Sequence, residues 1–232
     1  MFNGKLKAVT FSFDDGIEAD KRLIEILDKY ALKCTFNLNS GQLGKKDSVK
    51  RLDWKGDMTC YDCIPKEQIR EVYKNHEVAI HSVNHVRYTH LTDKALMEDV
   101  QIDKKVLSDL VGYEIVGSAY PCGDNDDRTA RVLAESGIRY ARTIEDTYGI
   151  DWQSDLLRLK PTCHSNDRKV LQIAQDFIEM ETDTPKLLYI WGHSFNFDDS
   201  ENAWQEFEKL CKMLSMKEDI FYGTNKEVLL GM

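Results

Sequence analysis

The chain has 232 residues, of which 42% are hydrophobic and 31% charged, and this composition excludes a disordered protein. Its formal net charge of -9 argues against nucleic acid or an anionic membrane as a partner, because both attract clustered lysine and arginine. No window approaches 18 apolar residues and the N-terminus lacks a signal-like apolar run, so we expect a cytoplasmic protein.

Strand-like runs alternate with segments of helical period. The first strand is predicted from AVTFSF, and the others from CTFNL, EVAI, EIVGSAY, KLLYIW and DIFYGT. Apolar residues that recur every three or four positions predict helices over 18–30, 66–74, 92–110, 127–136, 168–180 and 201–214. The alternation predicts an α/β fold in which helices cover a parallel sheet.

The chain contains no internal repeat, low-complexity tract or linker, so residues 1–232 are predicted to form one domain. Region 41–64 is charged and poorly periodic, which predicts an elaborated loop beside the site. Cys60 and Cys63, in this region, form a lone CxxC with no second pair, too little for a zinc or redox assignment. The six scattered cysteines are typical of reduced thiols rather than of a disulfide framework.

Two polar clusters follow predicted strands. Asp14 and Asp15 come after TFSF, and HSVNH places His81 after VAI with His85 four residues later. Ligands bind at the carboxyl ends of parallel strands, and two histidines with one carboxylate leave a metal ion an open position for water. One carboxylate would then coordinate the ion while the other serves as a general base. The alternative is that His81 and His85 are an ordinary pair of polar residues on one face.

TFSFDDG followed by HSVNH resembles the first two motifs of the polysaccharide deacetylases with a NodB homology domain, carbohydrate esterase family 4. The resemblance implies a deformed (β/α)7 barrel over nearly the whole chain. It also implies that Asp14 is the general base and that Asp15, His81 and His85 hold one divalent metal ion. Zinc is the default ion, although cobalt, nickel or iron also suits these ligands.

SAYPCGDND resembles the family's third motif, usually RxPYG, with Ala119 where arginine is common and Cys122 where an aromatic residue is common. We hypothesise that Arg142 supplies the missing positive charge; the alternative is a solvated surface arginine. The resemblance places the substrate and oxyanion contacts in this loop, which comprises Tyr120, Pro121, Cys122 and Gly123, and a backbone N–H there would stabilise the oxyanion.

The fifth motif places a histidine after a late strand, as LLYIWGHSFNFD does with His193. By resemblance, His193 is the general acid that protonates the departing amine. His164, in KPTCHSND, is a competitor for the acid or for substrate binding. We hypothesise that the fourth motif, an Asp near a Trp, corresponds to Asp151 and Trp152 in IDWQSD; the alternative is that the adjacent SDLLRLKPTCH is its structural counterpart.

Three aromatic residues, Trp191, Tyr120 and Trp54, are candidate walls for a sugar face. The two remaining histidines, His76 and His90, are expected at the surface, because neither follows a motif.

The function predicted from these motifs is removal of N-acetyl groups from amino sugars by attack of metal-bound water. The lack of an apparent export signal favours a small-molecule or oligosaccharide substrate over a cell-wall polymer. The alternatives are a hydrolase of another C–N amide, such as a ureide or cyclic imide, and a non-catalytic carbohydrate- or metal-binding module. The oligomeric state is not predicted.

Overall fold

Strands and helices alternate along the chain, as the sequence predicts. The computed structural model describes residues 2–52, 55–198, 200 and 202–232. In chain order the elements are β1 (Lys7–Asp14), α1 (Asp20–Lys29), β2 (Cys34–Leu38), β3 (Val49–Leu52), β4 (Met58–Tyr61), α2 (Ile69–Val72), β5 (Glu77–Ile80), α3 (Asp93–Val111), β6 (Gly117–Ala119), α4 (Asp127–Glu135), β7 (Tyr140–Arg142), β8 (Cys163–His164), α5 (Val170–Glu179), β9 (Lys186–Gly192), α6 (Ala203–Leu214), β10 (Ile220–Tyr222) and α7 (Asn225–Leu230).

The main sheet is parallel, in the order β7-β6-β5-β2-β1-β9-β8, and β10 also pairs with β1. All eight residues of β1 are buried, which is typical of a parallel strand covered on both faces. An isolated parallel bridge joins Arg142 in β7 to Leu159, in the segment before β8. The two ends of the strand order therefore approach each other, and the sheet curls towards a barrel.

Aromatic packing fixes the position of β1. The Phe207 ring of α6 makes edge-to-face contacts with Phe11 and Phe13 of β1, at centroid separations of 6.1 and 5.9 Å. Each such contact contributes about 0.5–1.5 kcal/mol beyond the area that it buries. Because Asp14 is the last residue of the same strand, this packing also positions its carboxylate.

The prediction for region 41–64 is wrong in part. The segment contains an antiparallel hairpin, β3–β4, in which Val49 pairs with Tyr61 and Leu52 with Met58. Both strands alternate exposed and half-buried residues, and the charged side chains of β3 hide that period in the sequence. Trp54, a predicted sugar wall, lies outside the described residues.

One of the two histidines expected at the surface is buried. His76 is 6% exposed and packs edge-to-face on Phe36 at 5.5 Å, whereas His90 is exposed as predicted. All six cysteines are free thiols, and no described third ligand joins Cys60 and Cys63 in a metal-like cluster. None of the helices in the described part of the chain is long and apolar enough to cross a lipid bilayer.

Candidate active site

The strand ends bring the predicted polar residues to one edge of the sheet. Asp14 ends β1 and Arg142 ends β7, whereas His81 and His193 directly follow β5 and β9. The carboxyl ends of parallel strands are where α/β folds place ligands. Residues that are up to 179 positions apart in the sequence therefore share one site.

Asp15, His81 and His85 form the one three-ligand cluster found in the described chain, with their ligand atoms within 4.8 Å of one another. Asp15 Oδ1 lies 3.9 Å from His81 Nε2 and 3.7 Å from His85 Nε2. His81 Nδ1 is 2.9 Å from the Ala119 carbonyl oxygen, so Nδ1 donates and Nε2 keeps a lone pair for a metal ion. The donor set and its orientation fit a divalent cation.

Unusual backbone conformations present these ligands. Asp15 has φ = 82° and His85 has φ = 58°, a left-handed region that costs a non-glycine residue of order 1–3 kcal/mol. The Asp15 N–H donates to the Asn37 carbonyl at 3.0 Å, which holds the turn after β1. Such strain persists only where surrounding contacts determine it, and that is typical of a binding site.

Two carboxylates of α3 anchor the loop that carries His81 and His85. Asp103 Oδ2 accepts from the His81 N–H at 3.1 Å, and its Oδ1 accepts from the Ser40 N–H at 2.9 Å. Asp99 accepts from the Ser82 hydroxyl at 3.2 Å. Burial raises the pKa of Asp103 to about 7. The loop that carries both histidines is thus tied to a long helix.

Asp14 is held by a buried cation. Arg142 Nη2 donates to Asp14 Oδ1 at 2.5 Å and to Oδ2 at 2.6 Å, while Nε donates to the Ser12 hydroxyl at 3.1 Å. Arg142 is fully buried, so it is not a surface arginine. The hypothesised positive charge of Arg142 therefore lies beside the Asp14 carboxylate. Asn37 of β2 is the strand partner of Asp14, and its Nδ2 donates to Asp14 Oδ1 at 2.8 Å.

The protonation states suit a metal centre with an adjacent base. Burial lowers the pKa of His81 to about 3 and also lowers that of His85, so both are neutral near pH 7. Burial raises the pKa of Asp15 to about 6. Burial would also raise the pKa of Asp14, but the charge and hydrogen bonds of Arg142 outweigh it and hold that pKa well below its usual range.

A cavity of about 470 Å³ opens above these groups. One wall comes from the β3–β4 hairpin through Val49, Lys50 and Arg51. Two predicted contact residues, Cys122 and Trp191, also line it. The full lining is Asp14, Asp15, Asn39, Gln42, Ser48, Val49, Lys50, Arg51, His81, Asn84, His85, Cys122, Ile144, Trp191, His193 and Phe195.

Some predicted contact residues lie away from the cavity. Tyr120 is fully buried, and its hydroxyl donates to the Leu157 carbonyl at 2.8 Å, so its role as a sugar wall is wrong. Pro121 is buried, and neither it nor Gly123 lines the cavity. His164 is also outside the lining, with its ring edge-to-face on Trp191 at 4.9 Å.

The assignment of the fourth motif to Asp151 and Trp152 is wrong. Asp151 is exposed and pairs with Lys186, and Trp152 packs on Phe2 at 5.8 Å. The acidic residue beside the site is Asp146, whose Oδ1 accepts from the Trp191 indole N–H at 2.7 Å.

Sequence reasoning missed Asp146, Asn37 and Asn196. Asn37 carries the clearest signal, since it is a polar residue near the end of a predicted strand beside β1. Asn196 Oδ1 lies 3.3 Å from His193 Nδ1. No local pattern in the sequence distinguishes Asp146 or Asn196 from other loop residues.

The chain is similar in sequence to a known protein family. The sequence model described as polysaccharide deacetylase matches residues 3–141. A search of curated proteins gives no significant match.

Solved structures share the fold. A polysaccharide deacetylase described as putative, from Mycobacterium smegmatis, is 18% identical with a TM-score of 0.64, over 98% of this chain and 90% of that one. A family 4 acetyl xylan esterase from Clostridium thermocellum, in complex with a cobalt ion, is 16% identical with a TM-score of 0.61, over 97% and 91%. A Streptococcus pyogenes deacetylase in complex with acetate is 22% identical with a TM-score of 0.51. The match covers 64% of this chain and 61% of that deacetylase, so this chain spans less than two thirds of its length. These similarities confirm the predicted deformed (β/α)7 barrel.

Proposed function

The chain belongs to the polysaccharide deacetylase family, and from that premise we propose that it is a metal-dependent hydrolase that removes N-acetyl groups from amino sugars. The observation that carries the proposal is the pairing of two adjacent carboxylates with different partners. Asp15 lies with His81 and His85 in a cluster of three ligands, whereas Asp14 lies on Arg142. A ligand set beside a separate base is the arrangement that metal-assisted hydrolysis requires.

Asp15, His81 and His85 would hold the ion. A divalent cation bound there supplies Lewis acidity, which lowers the pKa of water towards about 7 and polarises an acyl oxygen. Three protein ligands leave a further position open, as in catalytic rather than structural sites. The relative from Clostridium thermocellum was solved with cobalt, and we propose zinc or cobalt for this chain.

Asp14 is the general base in this proposal. Its carboxylate is buried and held ionised by Arg142, so it accepts a proton from the attacking water without competition from bulk solvent. Arg142 is the register partner of Ala119, the position where the family's third motif commonly has arginine, so it supplies a positive charge beside that position.

His193 is the general acid, because its Nε2 lies 3.9 Å from both Asp14 Oδ2 and Asp15 Oδ2 and its ring lines the cavity. His164 is outside the cavity lining, which favours His193 between the two histidines left open by the sequence. We assign the backbone N–H of Cys122 as the donor to the oxyanion. In the same turn, the Gly123 N–H donates to the Tyr120 carbonyl and the Tyr120 N–H donates to the Arg142 carbonyl. Pro121 has no backbone N–H.

The size of the cavity supports a small substrate. A volume of about 470 Å³, walled on one side by the β3–β4 hairpin, suits a small molecule or the end of a short oligosaccharide. Trp191 offers an apolar face beside His193, at a centroid separation of 5.9 Å. We therefore propose short N-acetylated sugars ahead of polymers.

A second candidate is a hydrolase of another small amide, such as a ureide or cyclic imide. Cys122 lines the cavity where the family commonly has an aromatic residue, so the acyl-binding wall differs. A non-catalytic binding module is the third possibility, and the same experiment tests it.

The test is release of acetate and free amine from N-acetylglucosamine, its short oligomers and a few ureides and cyclic imides. Metal-stripped protein reconstituted with zinc or cobalt is compared with an Asp14→Asn variant. Metal-dependent acetate release that is lost in the variant supports the deacetylase. Turnover of the other amides alone would favour the second candidate, and metal binding without any turnover would favour the module.

A further inference from the structure

The turn after β9 restrains the His193 imidazole in two directions. Within the ring plane, Asn196 Oδ1 lies 3.3 Å from His193 Nδ1. Across the plane, the Phe195 ring stacks on the imidazole at a centroid separation of 4.6 Å and an interplanar angle of 14°. Both residues belong to the 3-10 turn Ser194–Asp198, so the chain that positions the ring is contiguous with His193.

The contact with Asn196 determines which ring nitrogen carries hydrogen. The His193 backbone N–H can only donate, so the Asn196 side-chain atom 3.1 Å from it must be the carbonyl oxygen Oδ1 rather than the amide nitrogen. The same oxygen faces Nδ1 of His193, and two acceptors do not form a hydrogen bond. Nδ1 is therefore protonated, and Nε2 faces the cavity and the carboxylates of Asp14 and Asp15.

Phe195 is itself fixed from the opposite side of the cavity. The Arg51 guanidinium carbon lies 4.8 Å from the centre of the Phe195 ring, and Arg51 Nη1 donates to the Phe195 carbonyl at 3.3 Å. Tyr61, on the other strand of the hairpin, packs on Phe195 at 5.5 Å. The β3–β4 hairpin thus supports the stacking partner of His193.

His164 has the opposite arrangement. Its Nδ1 accepts from the Asn166 backbone N–H at 3.1 Å, so Nδ1 holds a lone pair and the neutral ring is protonated at Nε2. Its ring centroid is 6.4 Å from that of His193. The two neighbouring imidazoles therefore present different tautomers.

We infer that Asn196 is the positioning residue of His193: by keeping hydrogen on Nδ1, it reserves Nε2 for proton transfer at the cavity. In the deacetylation, the Nε2–H bond of the imidazolium breaks and an N–H bond forms on the amide nitrogen as the C–N bond breaks and leaves its electron pair on that nitrogen, while hydrogen stays on Nδ1, bonded to Asn196 Oδ1. Asn196 acts through His193 and is not a catalytic residue. The role in turnover rests on the proposed function, but the tautomer does not.

The first test is nitrogen-15 NMR of the histidine rings in the metal-loaded protein at a pH where His193 is neutral, with His193→Gln used to assign its signals. We expect a protonated Nδ1 and an unprotonated Nε2 on His193. Asn196→Ala should shift hydrogen towards Nε2, whereas Asn196→Asp, which keeps an oxygen acceptor, should preserve the Nδ1–H form. A His193 protonated at Nε2 in the unsubstituted protein, or a tautomer unchanged in Asn196→Ala, would overturn the inference.

The second test compares leaving groups. On an N-acetyl amine, Asn196→Ala should lower kcat by about 10-fold or more, a part of the 10²–10⁴-fold that a positioned acid contributes, with KM and metal content unchanged. On p-nitrophenyl acetate, whose leaving group departs without a proton, kcat should stay within about 2-fold. Asn75→Ala, which removes an exposed side-chain hydrogen bond to Asp28 before β5, is the control. Equal losses on both substrates would overturn the inference; a protonated Nδ1 with no amide turnover in the unsubstituted protein would overturn only the deacetylase.

Discussion

Arg142 and Asp14 form an ion pair that is buried from solvent, with Nη2 of Arg142 2.5 and 2.6 Å from the two carboxylate oxygens. The partners come from β7 and β1, 128 residues apart. Burying two charges is costly, and removing one partner leaves the other unpaired. The pair therefore links the stability of the barrel to the ionised state of the proposed base.

Replacing Arg142 with alanine should damage both activity and stability. We expect kcat to fall by about 100-fold or more, because the base loses the cation that keeps it ionised and oriented. The free energy of unfolding should fall by about 3–5 kcal/mol, since a buried carboxylate is left unpaired. Turnover and urea unfolding measure the two effects, and the metal content should stay the same.

Two matched variants sharpen that experiment. Arg142→Lys keeps the charge but loses the planar geometry of the guanidinium, so it should fall between the original protein and Arg142→Ala. Arg139→Ala removes an exposed arginine three residues earlier and should behave like the unsubstituted protein. Unchanged turnover in Arg142→Ala would rule out the proposed role.

Variants of the two adjacent carboxylates should behave differently, because Asp14 is proposed as the base and Asp15 as a metal ligand. Asp14→Asn is expected to reduce turnover by 10²-fold or more while metal affinity changes little, because Asn37 and Arg142 can still bond to the amide oxygen. Asp15→Asn should instead weaken metal binding, and its turnover should recover in part at high metal concentration. Metal analysis alongside kinetics distinguishes the two, and equal metal loss in both variants would contradict the assignment.

The two histidine ligands should differ in what their loss costs the fold. His81 is 1% exposed and bonds to the Ala119 carbonyl, whereas the His85 side chain is 37% exposed. Both His81→Ala and His85→Ala should abolish tight zinc binding. Only His81→Ala should also destabilise the metal-free protein, by about 1–3 kcal/mol, because it removes a buried side chain and one of the hydrogen bonds to the Ala119 carbonyl, which keeps the Ser118 hydroxyl as a donor.

Thermal unfolding with and without zinc tests this difference. Metal that binds the folded chain raises its stability by about 2.7 kcal/mol at 100 times the dissociation constant. That increase should disappear in both variants. An increase that survives in either one would show that the histidine is not a ligand.

The sequence predicts the strand-end residues well. Asp14, Asp15 and His81 follow apolar runs of buried parallel strands, and such runs are readable because both faces of the strand are covered. The barrel itself was available only through the family motifs, since alternation of strands and helices specifies an α/β fold and not its closure. Arg142 could be proposed by charge, but only the curl of the sheet brings it to Asp14.

The misassigned residues are those whose role depends on distant partners. Tyr120 is a core residue because β6 directs its hydroxyl to Leu157, and His76 is buried because Phe36 lies against it. A motif of two residues, such as Asp151 with Trp152, carries too little information to place a loop. The β3–β4 hairpin was missed because its strands are largely exposed and lack an apolar face.

A pH-dependent stability is predicted for Asp20, the buried first residue of α1. Its Oδ1 accepts from the Ser194 hydroxyl at 2.5 Å and its Oδ2 from the Tyr73 hydroxyl at 2.8 Å. Burial raises its pKa from 3.8 to about 7. Because the folded state binds this proton more tightly than the unfolded state, the stabilisation is complete below about pH 4 and is lost as the pH rises through 7.

Asp20→Asn should remove this dependence, since the amide is uncharged at every pH and keeps one oxygen acceptor. Relative to the unsubstituted protein, the variant should gain about 1 kcal/mol or more in free energy of unfolding between pH 4.5 and pH 8. Urea titrations of chelator-treated protein measure it without the pH dependence of metal binding. Asp183→Asn, at an exposed position, should leave the pH dependence unchanged. If Asp20→Asn also leaves it unchanged, Asp20 is ionised in the fold, and its hydrogen bonds to Ser194 and Tyr73 offset the cost of burial.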